Sequence, residues 1–489
     1  MEGKTQVLVI GGGPAGSTAA TLLARQGFEV ALLEREVFPR YHIGESLLVA
    51  LNHIFDVLGL REKLEAHGFQ EKTGAFFEWG TERWCFDWSK LPGTYRSSFQ
   101  VKRDEFDQLL LEHAKSQGVK VHEGVTVRSL AFDGDRPVRA SWQRLVAGEA
   151  ARGEISFDYL VDASGRSGVM ANRYLHSRRH NEAFQNLAVW GYWKGVAHPD
   201  VGLTGPILVA SVPEGWLWVI PLHDGTTSVG LVLHEKHFQE RRKTASIMEI
   251  YREGIASSPL VTEALAPGEM VTDLRTEGDY SYLSEVLAGP GFFLCGDSAA
   301  FLDPLLSSGV HLATYSGLLA AACLGSVIRG EMTEEEATAF YGTCYREHYL
   351  RWMLIVSTFY DQYSGKESYF WEAQRLSTGD LNAADAKLAF THVVAGIEDL
   401  KEARQTELLQ EVSTRMRENL GHHGHQVVGT DVGEVQVLES TPFSDLIKEE
   451  DLRGLPAAMG FRVVTEPVLK VVRVAVPVGG VPDPGMVAV

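Results

Sequence analysis

Apolar residues gather along this chain in two rhythms. "TQVLVI" (residues 5–10) is a short β-branched run, the pattern of a strand covered on both faces. It stops at three glycines and gives way to "AATLLARQG", whose apolar positions repeat at helical spacing and close on Gly27. "FEVALLE" resumes a strand and ends at Glu34. The spacing therefore predicts a strand, a glycine turn, a helix and a second strand. A helical rhythm returns in "FQVKRDEFDQLLLEHAKSQGV" (99–119), with Phe106, Leu109, Leu110 and Ala114 on spaced positions.

From 181 to 274 the pattern changes. "AVWGYWKGV", "GPILVASVP", "GWLWVIPLHDG" and "TTSVGLVLH" are short strand-like runs divided by turn residues, and they predict an antiparallel sheet. Alternation puts Trp216 and Trp218 on one face of their strand, with Pro221 at its end. Beyond Glu331 the chain reads helical, as does the segment 392–420. The tail from Gly421, rich in Val, Gly and Pro, predicts strands folded over the body.

Composition narrows the class. The 489 residues are 45% hydrophobic, enough for one large composite unit or two to three domains. Lys and Arg total 45 against 64 Asp and Glu, a formal charge of -19. That balance argues against nonspecific binding to nucleic acid or to an anionic membrane. Four cysteines with no CxxC spacing point to a reducing compartment, the cytoplasm, and to no metal site. "LATYSGLLAAACLGSVI" (312–328) is long and apolar but carries Thr, Tyr and Ser, so a buried helix is expected rather than a membrane span. The N-terminal apolar run leads straight into the glycines and reads as a core strand, not a signal peptide.

The glycine turn carries the first chemistry. Gly11, Gly13 and Gly16 fill GxGxxG positions, for a tight turn, a close backbone approach to pyrophosphate, and helix–strand packing. Pro14 and Ala15 open the helix, whose N-terminal amides suit phosphate. Glu34 can accept from ribose hydroxyls and disfavours a 2′-phosphate, which argues against NADP. Arg35 follows it as a further candidate contact. This motif alone leaves NAD and FAD open.

Two further elements choose FAD. "GPGFFLCGDSAAFLDPLLSSGVHLATYSG" (289–317) holds a strand ending at Gly296-Asp297, then Ser308-Gly309-Val310 where a helix begins. "FDYLVDASGRSG" (157–168) supplies Asp162 and Gly165. The three separated glycine/acid elements together resemble the FAD-binding pattern of the aromatic-hydroxylase class of flavoproteins. Arg103 matches the flavin-facing arginine of that class.

The residues outside this cradle narrow the resemblance. Trp216-x-Trp218-x-Ile220-Pro221 is similar to the WxWxIP signature of the flavin-dependent halogenases. "YHIGESLL" supplies Gly44, Glu45 and Ser46, matching a stretch near the cofactor. "FQEKTGAFFEWG" supplies Lys72, the match to the essential lysine. "DPLLSSGV" supplies Ser307, Ser308 and Gly309, the match to the halide-holding segment. "FYDQYSGKESYFW" (359–371) resembles the phenol- and pyrrole-modifying branch more than the free-tryptophan branch. No residue stands out as a substrate-activating base. "TEGDYSY" offers Asp279 near the position where some relatives link the flavin covalently, and no such bond is assigned here.

The resemblance implies an α/β fold: a Rossmann-like FAD-binding domain of the aromatic-hydroxylase type, an inserted antiparallel β-sheet substrate domain and a mainly helical C-terminal region. The expected divisions are 1–180, 181–274, 275–330 and 331–489. The implied activity uses reduced FAD, O2 and chloride or bromide to form hypohalous acid, which halogenates an electron-rich phenolic or pyrrolic substrate. Lys72 would orient or hold the oxidant, and Trp216 with Trp218 would wall its path. Implied partners are a separate NADH-dependent flavin reductase and an aromatic small molecule, free or tethered to an acyl carrier protein. The basic stretches "HSRRH" (176–180) and "YREHYLRW" (345–352) are candidate carrier contacts. The same cradle also suits an aromatic monooxygenase, an isoprenoid reductase or a flavin-binding protein without turnover.

Overall fold

A computed structural model of the chain describes residues 3–80, 82–90, 95–146, 149–362, 425–430, 433–438 and 457–474. The helix expected over 392–420 and most of the stretch 359–371 lie outside these residues.

The first sheet has a parallel core. Its strands run in the order Phe292–Leu294, Glu149–Asp162, Gly3–Ile10, Val30–Leu33 and Lys120–His122. Val7, Leu8 and Val9 are fully enclosed, which is why the first strand shows no polar alternation. Helix Pro14–Arg25 packs against helices Arg103–Ser116 and Gly309–Ile328. Gly317 makes the closest approach possible: a Cβ there would collide with the Ala15 carbonyl. Strands Val125–Asp133 and Arg136–Val146 form an antiparallel meander that ends on Glu149–Asp162. Gly309–Ile328 is long and apolar enough to cross a membrane, yet 89% of its apolar window is buried inside the fold. It is a core helix.

The second sheet is larger. It runs Ala300–Phe301, Arg275–Ser284, Arg178–Lys194, Thr226–His234, Gly215–Pro221, Ile207–Val212, Gly74–Trp79 and Glu82–Asp87, and then takes in Gly433–Leu438 and His425–Thr430. The tail therefore does contribute strands. The sheet also draws in residues 74–87 and 275–284, which the sequence pattern grouped with the cofactor pieces. Gly74–Trp79 pairs in parallel with Ile207–Val212, a partner 132 residues away that no one-dimensional pattern reveals.

The Trp strand explains its own composition. Trp216, Trp218 and Ile220 face inward and join the large core shared with the first sheet. Leu217 and Val219 face outward into a separate apolar cluster with Tyr251, Ile255 and Val261 of the helices Ile247–Ala256 and Pro259–Leu265. Both faces are covered, so "WLWVI" is apolar throughout. Helix Glu334–Gln362 packs along Gly309–Ile328. A small sheet, Ala457–Ala458, Phe461–Val464 and Lys470–Arg473, is anchored by the Val471 amide donating to Ser326 Oγ at 2.9 Å.

Candidate active site

A cleft of about 920 Å³ opens between the two sheets. At one end it is lined by Gly11, Gly13, Pro14, Ala15, Glu34 and Arg35. The turn geometry is specific to glycine. Gly11 has φ +103°, and a Cβ there would strike the Ala163 carbonyl; one on Gly16 would strike the carbonyl of Gly11. Gly16 therefore serves packing and lies off the cleft wall. A Cβ on Gly13 would meet only the Arg40 guanidinium, and one on Gly309 would meet nothing. Bare backbone thus faces open space at two helix N-termini, which is what a dinucleotide requires. Glu34 is already committed in part: Oε2 accepts from the Gly12 amide at 2.6 Å and Oε1 from the Glu36 amide at 2.8 Å.

The middle of the cleft brings together Gly44, Glu45, Ser46, Arg103, Gly165 and Asp297. Arg103 is buried and paired to Asp107 at 2.8 and 3.0 Å, while Nη1 donates to the Ile43 carbonyl at 2.7 Å. That bond shapes the loop bearing Glu45. Asp162 differs from expectation. It lies off the wall, and its carboxylate accepts from the amides of Ser164 and Met170 at 3.0 and 2.7 Å. It builds the turn that presents Gly165. Of Asp279 only the backbone is described, in its strand opposite Asn186.

The far end holds Trp190, Trp216, Trp218, Asp303, Ser307, Gly309 and Val310. Ser307 adopts φ +58°, a strained conformation for serine that turns the chain into the helix. Ser308 is buried behind it as the N-cap residue. The amides of Gly309, Val310 and His311 begin the helix with no carbonyl one turn back, while that of Leu312 is taken by Ser308.

Lys72 is the most enclosed basic side chain among the described residues, 1% exposed. It stands one residue behind the wall: Nζ donates to Ser46 Oγ at 2.6 Å and to the Leu47 carbonyl at 3.1 Å, and lies 4.7 Å from the Trp88 ring centre. Burial pulls its pKa down to about 7. Burial acts oppositely on Glu45, raising it to about 7 despite the bond from Tyr192.

Several contributors escaped the sequence reading. Trp190 Nε1 donates to Tyr41 Oη at 2.6 Å, Tyr41 and Tyr192 hydroxyls lie 3.0 Å apart, and Tyr192 Oη donates to Glu45 Oε1 at 2.6 Å. The Trp216 indole donates to Tyr360 Oη at 3.0 Å, and Tyr360 in turn donates to Asp303. Burial raises Asp303 to about 6. The alternation of Trp190 and Tyr192 in "AVWGYWKG" was the available signal for the first group. Nothing local marks Tyr360 as a partner of a strand 144 residues earlier.

The basic stretches are largely spent internally. Arg178 donates to the carbonyls of Arg166 and Asp297, Arg179 pairs with Glu285, and Arg346 donates to the Glu285 carbonyl. Tyr345, His348 and Tyr349 are buried.

A glycine cradle on a parallel sheet, beneath a second sheet that closes over its outer end, defines an FAD-dependent flavoprotein. The family model described as "FAD binding domain" matches residues 4–342. Among curated proteins, a tryptophan 2-halogenase from Chondromyces crocatus is 51% identical over 460 residues, covering 93% of this chain and 87% of that one. The sulochrin halogenase gedL of Aspergillus terreus is 40% identical over 379 residues, 72% of this chain and 69% of its own. Among solved structures, the myxobacterial chondrochloren halogenase CndH aligns with a TM-score of 0.72 at 34% identity, covering 89% of this chain and all of that one. The flavin-dependent halogenase CmlS aligns with the same TM-score and identity over 86% of this chain and 73% of its own. The chain belongs to the flavin-dependent halogenase family and is an enzyme of the oxidoreductase class.

Proposed function

We propose that this enzyme consumes chloride or bromide to halogenate an electron-rich nitrogen or phenol aromatic, and that an indole or other pyrrole-type ring is its leading substrate class. The observation that carries this reading is the far end of the cleft. Three tryptophans wall it and an uncapped helix N-terminus opens into it, while a buried lysine amine stands behind Ser46 in the middle of the cleft. The 51% relative acts at C2 of tryptophan by its name. That carbon belongs to the pyrrole half of indole; the relative's name departs from the expectation of a phenol or pyrrole rather than tryptophan, and it is what adds indole to the candidate rings.

FAD, when bound and reduced, supplies the electrons that activate O2. The residues of the chain do the rest. Gly11, Gly13, Pro14 and Ala15 would hold the pyrophosphate end, Glu34 the ribose, and Gly44, Arg103, Gly165 and Asp297 the middle of the cofactor. The Gly309 and Val310 amides, turned by Ser307 and Ser308, would hold the halide by their dipoles. Lys72 would meet the hypohalous acid where Ser46 borders the cleft, donating a hydrogen bond as ammonium or acting as a nucleophile when neutral. Trp216 and Trp218 keep the aromatic substrate away from the flavin.

The net reaction takes an aromatic C–H, one halide, one proton, reduced flavin and O2 to the aryl halide, oxidised flavin and two waters. Glu45, which lines the cleft and whose pKa burial raises to about 7, would supply that proton. Reduced flavin would come from a separate NADH-dependent reductase. The four free, buried thiols suit a reducing compartment, and we place the enzyme in the cytoplasm. A carrier-tethered substrate has weaker support, because the basic stretches are tied up in internal bonds.

The test is product mass spectrometry with FAD, a flavin reductase, O2 and either halide, over tryptophan, simple indoles, pyrroles, phenols and carrier-bound acyl groups. A halide-dependent mass gain on an indole or pyrrole is expected. Hydroxylation that ignores halide would overturn the reading.

A further inference from the structure

Outside the cleft, three segments far apart in sequence converge on one point. His67 ends helix Arg61–His67, Glu105 lies in the first turn of helix Arg103–Ser116, and His223 occupies the turn after strand Gly215–Pro221. Both imidazoles address the same oxygen. His67 Nε2 lies 2.7 Å and His223 Nε2 lies 3.1 Å from Glu105 Oε2. All three ligand-type atoms fall within 4.8 Å of one another.

The surroundings prepare this arrangement. The other carboxylate oxygen, Glu105 Oε1, faces Lys102 Nζ at 3.4 Å, and Lys102 also reaches Asp224 Oδ2 at 3.2 Å. Lys102 thus turns Oε2 toward the rings, and Asp224 balances its charge. Phe69 stacks on His67 at 4.1 Å and meets His223 edge-on at 5.4 Å, so one side of the cluster is apolar. The side chains remain 31%, 30% and 20% exposed, which leaves the opposite side open to solvent.

We propose that His67, Glu105 and His223 form a divalent transition-metal site with Zn2+ as its occupant. Two imidazoles and one carboxylate are a donor set suited to zinc, with water as fourth ligand. Around a tetrahedral metal with bonds of roughly 2.0–2.1 Å, ligand atoms sit roughly 3.3 Å apart. The two histidine–glutamate pairs need open by about 0.6 and 0.2 Å, and the two imidazole nitrogens already lie within 4.8 Å of each other. The second-layer contacts that metal carboxylates need are already made by Lys102.

The site's place in the fold gives it a role. His67 precedes Lys72 by five residues, Glu105 follows Arg103 by two, and His223 follows Trp218 by five. A metal there ties together the three segments that present the lysine, the cleft arginine and the tryptophan wall. It acts by positioning, and no step of halogenation passes through it.

The experiment uses the full chain with FAD bound, stripped of metal by chelation and desalting. Zn2+ is titrated against a chromophoric chelator, and Co2+ is added separately as a spectroscopic probe. One equivalent of Zn2+ is expected, together with the intense d–d absorption of four- or five-coordinate cobalt. Removing even an outer-layer partner typically costs 10–100-fold in affinity, so His223→Ala and Glu105→Gln should each weaken binding by more than about 100-fold. Retained flavin absorbance shows that a variant has folded. Substoichiometric binding, a six-coordinate cobalt spectrum, or unchanged affinity in His223→Ala would overturn the proposal. If neither variant folds, the stoichiometry and cobalt spectrum of the natural protein decide alone.

Discussion

Replacing Lys72 with methionine is expected to stabilise the protein while abolishing halogenation. The lysine is sealed in, with Ser46 Oγ and the Leu47 carbonyl as its hydrogen-bond partners. Burial lowers its pKa from 10.5 to about 7. At about 1.4 kcal/mol per unit, the charged form costs the native state on the order of 5 kcal/mol. Between pH 7 and 10.5 the unfolded chain holds a proton that the native lysine has released, so stability rises with pH across that window. Below pH 7 both states are protonated, and the whole penalty is in force. Methionine fills similar space without charge. Its cost is the lost donor to the Leu47 carbonyl, about 1–3 kcal/mol for a buried acceptor, because Ser46 can turn toward the cleft. The net gain is therefore roughly 2–4 kcal/mol at pH 6, and it changes sign between about pH 8 and 10. Urea unfolding midpoints of both proteins, saturated with FAD, at pH 6, 8 and 10 measure this directly. A midpoint difference that does not vary with pH, or a variant less stable at pH 6, would refute the buried-charge argument.

Three further outcomes follow from the same geometry. Gly11→Ala drives a Cβ into the Ala163 carbonyl at φ +103°, so it should purify without flavin absorbance. Gly230→Ala places a Cβ inside the Trp218 ring, which must tilt; halogenated product should fall at least about tenfold while FAD titration is unchanged, as a misplaced wall loses positioning. Glu45, raised by burial from 4.5 to about 7, is penalised when ionised, so its contribution to stability is lost as pH rises through 7. In Glu45→Gln that fall, about 3 kcal/mol between pH 4.5 and 7, should be absent from thermal melts of the variant set against the natural protein.

The cofactor half of the fold was legible because its signals are local. Strand, glycines, helix and acid follow one another within 34 residues, and backbone conformation at Gly11 admits nothing but glycine. The sheet boundaries were not legible, because Gly74–Trp79 finds its partner in Ile207–Val212 and no periodicity carries that pairing. The same divide runs through the site. Lys72, Trp216 and Trp218 stood out by their surroundings in sequence. Asp162 was read as a ligand because an acid after a strand suits one, yet two backbone amides claim it. Tyr360 and Asp303 both fell inside quoted stretches, but their bond exists only once a late helix lies across the cleft. Residues that act through neighbours in the chain are readable; those that act through neighbours in space are not.

The opposed shifts also bear on how firmly the far end of the cleft can hold an anion. Lys72 and Glu45 both titrate near pH 7, one pushed down and the other up, so neither contributes a full fixed charge there. Arg103 and Arg40 share the single carboxylate of Asp107, so one net positive charge remains, at the middle of the cleft rather than at its far end. Burial pushes the Asp303 carboxyl up to about 6, and whatever negative charge it carries is shared with the Leu305 amide, Tyr360 and Asn186 and opposes an anion. A halide at Ser307–Gly309 would therefore be held by amide dipoles, equivalent to about half a charge at the helix end. Weak binding suits an ion that is consumed. A full ammonium at that point would bind halide tightly and lower its reactivity as a nucleophile, whereas dipoles concentrate it and still release it to react. Under the proposed mechanism, the burial that lowers the Lys72 pKa would free an amine lone pair for the oxidant without adding a full fixed charge behind Ser46.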